Sequence, residues 1–283
     1  MQMVTKDSPR NILLKKRLTE ALLDTEVIGA IQEDFVSAFE NIGLSEAGAK
    51  RLTRQIIANM RAGTTLKTAE DNVRTLFDKI EIDGKPFMEV LHQKLEERED
   101  RIAGELGPYV KGIKGKVIDF GAGSGGIAQR LHDRYGLDME MVDVSNFRDK
   151  SVTVPSLEFE GGRVPAADGR YNAAVLSVVI HHEADNERIL RELTRIVKHR
   201  IVIIETSPAD GTKQQWERTF VNDALWNRFF QNADIPVPGT YESPDGWIRR
   251  FGKHGWRVKH EVFLGYNELT TKLIHNLLVF EKK

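Results

Sequence analysis

One stretch restricts what this chain folds into more than any other: residues 117–126, VIDFGAGSGG, an apolar run that meets closely spaced glycines and then enters a helical pattern. Glycine allows a sharp turn and close backbone approach to a ligand, and the N–H groups that open a helix attract an anion. The stretch therefore reads as strand, turn and helix, a unit at home in a parallel sheet and suited to a ligand with a carboxylate or phosphate. Gly121, Gly123 and Gly126 also satisfy G-x-G-x-x-G, and Asp143 ends the next apolar run at the offset expected of a ribose-binding acid. On spacing alone, a nicotinamide or flavin dinucleotide fits.

The rest of the chain agrees with an α/β sheet from Lys116 onward. Short apolar runs predict strands over 116–120, 139–144, 173–179 and 200–205, with helices over 124–135, 185–197 and 213–231. Two further β-rich runs, 256–265 and 276–281, predict a closing antiparallel pair. Ahead of this lie helical patterns only: 9–23 behind Ser8-Pro9, 26–41, 45–62, 68–80 and 87–106. Asp-Gly and proline in 81–86 mark a turn and a boundary. The division expected is a helical segment over 1–85, acting as a cap or dimerisation surface, and an α/β domain over 86–283.

Charge and cysteine usage narrow the chemistry. Lys and Arg number 41 against 42 Asp and Glu, for a net charge of -1, so no basic surface announces a nucleic acid. Cysteine is absent, which excludes disulfides, thiolate metal sites and cysteine nucleophiles. No His/Asp/Glu spacing suggests a metal, no run approaches a membrane span, and the N-terminus lacks a signal-peptide core. The expectation is a cytoplasmic protein with a small-molecule partner and a possible homodimer.

Asp119 bears on which ligand the loop takes. A carboxylate two residues before Gly121 repels a pyrophosphate and attracts an ammonium group. With VLSVVIHH over 175–182 and the helical DNERILREL after it, the residues resemble the class I S-adenosylmethionine-dependent methyltransferase superfamily, especially its small-molecule enzymes, from Lys116 to Lys283. The resemblance implies a Rossmann-like, mostly parallel seven-stranded sheet with an antiparallel final strand. It implies that Asp119, Gly121, Ala122 and Gly123 surround the methionine part of the cofactor and that Asp143 takes the ribose hydroxyls, with Val144 and Ser177 also in contact. The segment VPAADGRYN over 164–172 departs from the family pattern at Ala166 and Asn172, and Gly161-Gly162 stand where an adenine-binding acid is usual. Arg163 and Val164 are the adenine candidates that remain.

Candidate catalytic residues are His181, His182, Glu205 and Tyr241. A histidine at a sheet's carboxyl edge serves as a proton acceptor or bonds only to backbone. Glu205 faces the reacting centre or pairs with a basic neighbour. Tyr241 follows IPVPGT, a segment that in the family covers the substrate, whereas Trp216, Trp226, Phe229, Phe230 and Trp247 read as core. Residues 96–101 read as a solvated helix face. The activity implied is methyl transfer to an O or N atom of a small molecule, since SVVIHH replaces the Asn/Asp-Pro-Pro-aromatic motif of base amino-methyltransferases. Alternatives left open are a cyclase that splits the same cofactor into azetidine-2-carboxylate and methylthioadenosine, a nicotinamide-type oxidoreductase, and a non-catalytic binding subunit.

Overall fold

Ser8, Asp24, Ser45 and Thr65 each accept a hydrogen bond from a backbone N–H in the following turn. These caps set the starts of α1 (Pro9–Ala21), α2 (Thr25–Ile42), α3 (Glu46–Arg61) and α4 (Leu66–Phe77). The structure, a computed structural model, describes residues 8–144, 148–208, 211–230, 235–266 and 273–283. After α4 comes a hairpin, β1 (Glu81–Ile82) and β2 (Lys85–Pro86). Its two-residue loop has positive φ at both Asp83 (50°) and Gly84 (77°), which suits the twist of paired strands. The predicted turn over 81–86 is thus a small hairpin.

Contacts divide the chain into two units, the first covering 1–94, 208–237 and 266–273, the second the remaining segments. The first is helical and includes α8 (Lys213–Leu225), which passes into a π-helical turn, Trp226–Phe230. Its core is aromatic: Phe77 stacks on Phe230 with ring centres 5.2 Å apart, and Phe35, Phe39 and Phe87 surround them. Fully buried Asp34 accepts from Arg218 Nε at 2.7 Å and from Asn222 Nδ2 at 2.8 Å, joining α2 to α8. Buried Glu70 pairs with buried Arg228 and joins α4 to the π turn. Removing one partner of such a pair leaves a buried charge uncompensated, at about 3 to 5 kcal/mol.

The second unit is a seven-stranded sheet of β3 (Lys116–Phe120), β4 (Asp138–Val142), β5 (Ser156–Leu157), β6 (Tyr171–Ser177), β7 (Val197–Thr206), β8 (Trp256–Tyr266) and β9 (Ile274–Lys282). Their order is β5-β4-β3-β6-β7-β9-β8. β5, β4, β3, β6 and β7 run parallel, and β9 is antiparallel to β7. One face is covered by α5 (Phe87–Val110) and α6 (Gly126–Tyr135) through Ile102, Leu106 and Leu131. The other carries α7 (Asn186–Ile196) and α9 (Pro244–Lys253) through Leu190, Leu193, Trp247 and Phe251. Strand order reverses between β3 and β6, so their carboxyl ends frame the crevice where open α/β sheets bind ligands. No described helix is long and apolar enough to cross a membrane.

Several local expectations change. The strand predicted to reach 179 ends at Ser177, because Val178 takes a positive φ of 61° and a 3-10 turn, Ile180–His182, follows. The helix predicted over 213–231 keeps α geometry only to Leu225. α9 has no counterpart among the predicted helices, although Ser243 caps it and Pro244 opens it as Ser8 and Pro9 do for α1. Glu99, read as solvated, is only 19% exposed and pairs with Arg130 at 2.7 Å.

Candidate active site

The turn after β3 is folded back on its own protein. The N–H groups of Gly121 and Ala122 both donate to the Val142 carbonyl, and that of Gly125 donates to the Ala122 carbonyl. Gly123 N–H donates to Asp143 Oδ2 at 2.8 Å, and Gly126 N–H to Ser124 Oγ at 3.2 Å. These amides, which the glycine pattern assigns to an anion, are therefore engaged internally. Two glycines are required by close approach: a Cβ on Gly121 would lie 2.5 Å from Val179 Cγ1, and one on Gly125, which caps α6 with φ 81°, would lie 2.7 Å from Met141 Sδ. At Gly123 a Cβ would meet nothing within 4 Å, so this peptide borders open space.

Carboxylates crowd that space. Asp119 is 2% exposed, and its Oδ2 has no hydrogen-bond partner. Burial, with Asp143 and Glu99 nearby, pushes its carboxyl up to about 7, although the Ala128 N–H in the first turn of α6 opposes the rise. Glu99 comes from α5, accepts from Ser124 Oγ, and lies where a Cβ on Gly126 would fall. Three acids and engaged amides disfavour a pyrophosphate and favour a ligand bearing a cation. An ammonium group is the kind of donor that would complete Asp119 Oδ2. Ser177 Oγ, at the carboxyl end of β6, is a second buried atom without a partner. The residues present thus fit an adenosyl amino acid, with Asp119 for its ammonium and half-buried Asp143 for its ribose.

The second half of the site grows from the strained residue after β6. A β-branched residue at positive φ costs about 1 to 3 kcal/mol and persists only where its surroundings hold it. Here Val178 N–H donates to the Ile204 carbonyl, and Glu205 Oε1 accepts from the N–H groups of Val179 (2.9 Å) and Ile180 (2.7 Å). Glu205 Oε2 lies 2.7 Å from His181 Nδ1, with both side chains buried. Glu205 therefore holds the whole turn and pairs with a basic neighbour. The His181 ring centre lies 4.1 Å from that of His182 and 5.2 Å from that of Tyr241. Thr240 Oγ1 donates to the carbonyls of His181 (2.9 Å) and Glu183 (3.0 Å), and Asn186 Nδ2 donates to the Thr240 carbonyl, which fixes Tyr241 beside the histidines.

The structure thus gathers Asp119, Gly121, Ala122, Gly123 and Asp143 in one cluster, and His181, His182, Glu205 and Tyr241 in another. Val144 is 61% exposed, an apolar side chain directly after Asp143. Arg163 is exposed and pairs with Asp168 at 3.5 Å. Val164 is core, with its N–H on Glu192 and its carbonyl on Arg195. Trp226, Phe229, Phe230 and Trp247 are buried as predicted, and so is Tyr241. Sequence reasoning missed Glu99 and Gly125. The signal for Gly125 was present, since Gly121, Gly123 and Gly125 alternate in G-x-G-x-G; nothing local marks Glu99.

Comparison with known proteins bears on this geometry. Residues 71–261, well over half of the chain, match the methyltransferase domain family. A sarcosine/dimethylglycine N-methyltransferase of Halorhodospira halochloris is 30% identical over 125 residues, which is 40% of this chain and 42% of that protein. A geranyl diphosphate methyltransferase structure in complex with S-adenosylmethionine aligns with a TM-score of 0.53 at 16% identity, covering 74% of this chain and 95% of the other. The geranyl diphosphate C-methyltransferase of Streptomyces coelicolor A3(2) aligns at 0.52 and 16% identity, covering 72% and 86%. These two likenesses establish the shared fold. They agree with the sheet order. This chain belongs to the methyltransferase domain family.

Proposed function

We propose that the protein transfers the methyl group of S-adenosylmethionine to an oxygen or nitrogen atom of a small molecule. The observation that carries the reading is the buried pair of His181 and Glu205 at the carboxyl edge of the sheet that bears the glycine turn. When bound, the cofactor supplies a methyl carbon made electrophilic by its sulfonium, so the protein's task is alignment and proton removal. Asp143 holds the ribose hydroxyls, Asp119 the ammonium, and Val144 offers an apolar surface to the adenine. His181 Nδ1–H donates a hydrogen bond to Glu205, which leaves Nε2 as the accepting nitrogen of the ring. His181 then takes the proton that an acceptor hydroxyl or ammonium loses, while His182 and Tyr241 pack its ring in place.

The test incubates the protein with methyl-labelled S-adenosylmethionine and a panel of small amines, amino acids, alcohols and phenols. The expected result is S-adenosylhomocysteine formed in equal amount with a methylated acceptor. Methylthioadenosine formed without any acceptor would overturn the proposal in favour of cofactor cyclisation.

A further inference from the structure

Polar side chains step across one face of the sheet beyond the cofactor turn. The register pairs Asp119 on β3 with Val175 on β6, Ser177 with Ile204 on β7, and Thr206 with His275 on β9. Val175 and Ile204 both belong to the core under α5 and α6, so Asp119, Ser177, Thr206 and His275 share that face. Each step from Asp119 to Ser177 and from Ser177 to Thr206 crosses one strand and advances two residues, about 8 Å. Glu205 and Asn276, also paired, lie on the opposite face. Thr206 is 1% and His275 5% exposed, and the hydroxyls of Thr206 and Ser177 have no hydrogen-bond partner. Buried hydroxyls are almost always bonded to protein, water or ligand.

Resting on the methyl-transfer reading, we infer that Thr206 and His275 recognise the acceptor, and that this acceptor presents an uncharged hydroxyl or an amine rather than a phosphate or carboxylate. The diagonal places this pair one step farther from Asp119 than Ser177 is, on the side away from β4 and its ribose-binding Asp143. A hydroxyl and an imidazole each donate and accept, which matches an O–H or N–H group. The row contributes one carboxyl and no Lys or Arg, so a phosphate entering it would lose its hydration without gaining a countercharge. Thr206 and His275 are separated by most of the last quarter of the chain and meet only through the β7–β9 register.

The probes are phenol, benzylamine and phenyl phosphate, titrated by ligand-observed NMR onto the full chain saturated with S-adenosylhomocysteine. Phenol or benzylamine is expected to bind wild type at least tenfold more tightly than phenyl phosphate. Thr206→Val and His275→Gln should each weaken that binding about tenfold, Thr206→Ser should restore it, and S-adenosylhomocysteine affinity should stay within about twofold in all three. Equal binding of phenyl phosphate, no binding of either uncharged or amine probe, or unchanged binding in both variants would overturn the inference. Probe binding that follows this pattern, together with absent methyl transfer across the wider panel, would instead count against the methyl-transfer reading alone.

Discussion

Asp119 is the position where a change of one proton has the largest calculable effect. Its carboxyl stands at about 7 in the ligand-free fold, against an ordinary 3.8, through burial first and then Asp143 and Glu99. If only the ionised form pairs with the cofactor's ammonium, affinity follows the ionised fraction, about nine tenths at pH 8 and about one tenth at pH 6. The dissociation constant for S-adenosylhomocysteine should therefore rise about tenfold from pH 8 to pH 6, equivalent to about 1.4 kcal/mol. Isothermal calorimetry in buffers of different ionisation enthalpy should also show about half a proton released per site at pH 7.

The same residue sets a stability trade with a definite sign. A carboxyl raised in the fold favours the folded state at low pH, and this advantage is lost as pH rises from about 4 through about 7. Above that window, keeping Asp119 ionised and buried without its ligand costs roughly 4 kcal/mol. Asp119→Asn should thus raise the melting temperature of ligand-free protein at pH 8 by at least about 4 °C, while abolishing the pH slope and weakening S-adenosylhomocysteine binding at least about tenfold. A wild-type affinity flat between pH 6 and 8, or an Asn variant less stable than wild type at pH 8, would refute the reasoning.

Asp143→Ala should weaken cofactor binding by about 1 to 3 kcal/mol through lost charge-assisted hydrogen bonds, and calorimetry with unchanged affinity would remove the ribose assignment. Gly121→Ala should cost about 2 to 4 kcal/mol by thermal unfolding, since the new methyl meets Val179 at positive φ, whereas Gly123→Ala should cost about 1 kcal/mol. Glu205→Gln should lower kcat more than KM and lower the melting temperature, because one amide oxygen replaces two acceptors that serve two backbone N–H groups and His181. Burial raises Glu140, but hydrogen bonds from Arg170, Lys116 and Tyr171 outweigh it and hold the carboxyl at about 2. Its stabilising effect is present above about 4.5 and fades as pH falls toward 2, so Glu140→Gln should cost roughly 2 to 3 kcal/mol at pH 7 and flatten acid unfolding over that window.

What was legible in the residues themselves was local. The Ser8-Pro9 start of α1, the start of α3 at Ser45, and the apolar runs of β3, β4 and β7 act within a turn or a strand, so a short window contains their causes. The glycine turn and its acids, Asp119 and Asp143, were legible for the same reason: they mark one strand–turn–helix unit and the end of the next strand. α9 escaped prediction despite its Ser243-Pro244 start, because its apolar set of Trp247, Ile248 and Phe251 is short and Trp247 reads on its own as one more core aromatic.

Other features depend on pairing across the chain. Nothing near Glu205 says that its two oxygens turn back to three donors on the 178–182 turn, or that Glu99 supports a loop more than twenty residues away. The helical unit takes in 208–237 because aromatic and ion-pair partners on α2 and α4 receive Phe230, Arg218 and Arg228. The amino-acid order by itself determined most of the elements, the glycine turn and its charge. Tertiary structure alone decided which amides remain available, which hydroxyls lack partners and which strand ends meet, because hydrogen bonding and burial depend on register between segments that the chain does not place side by side.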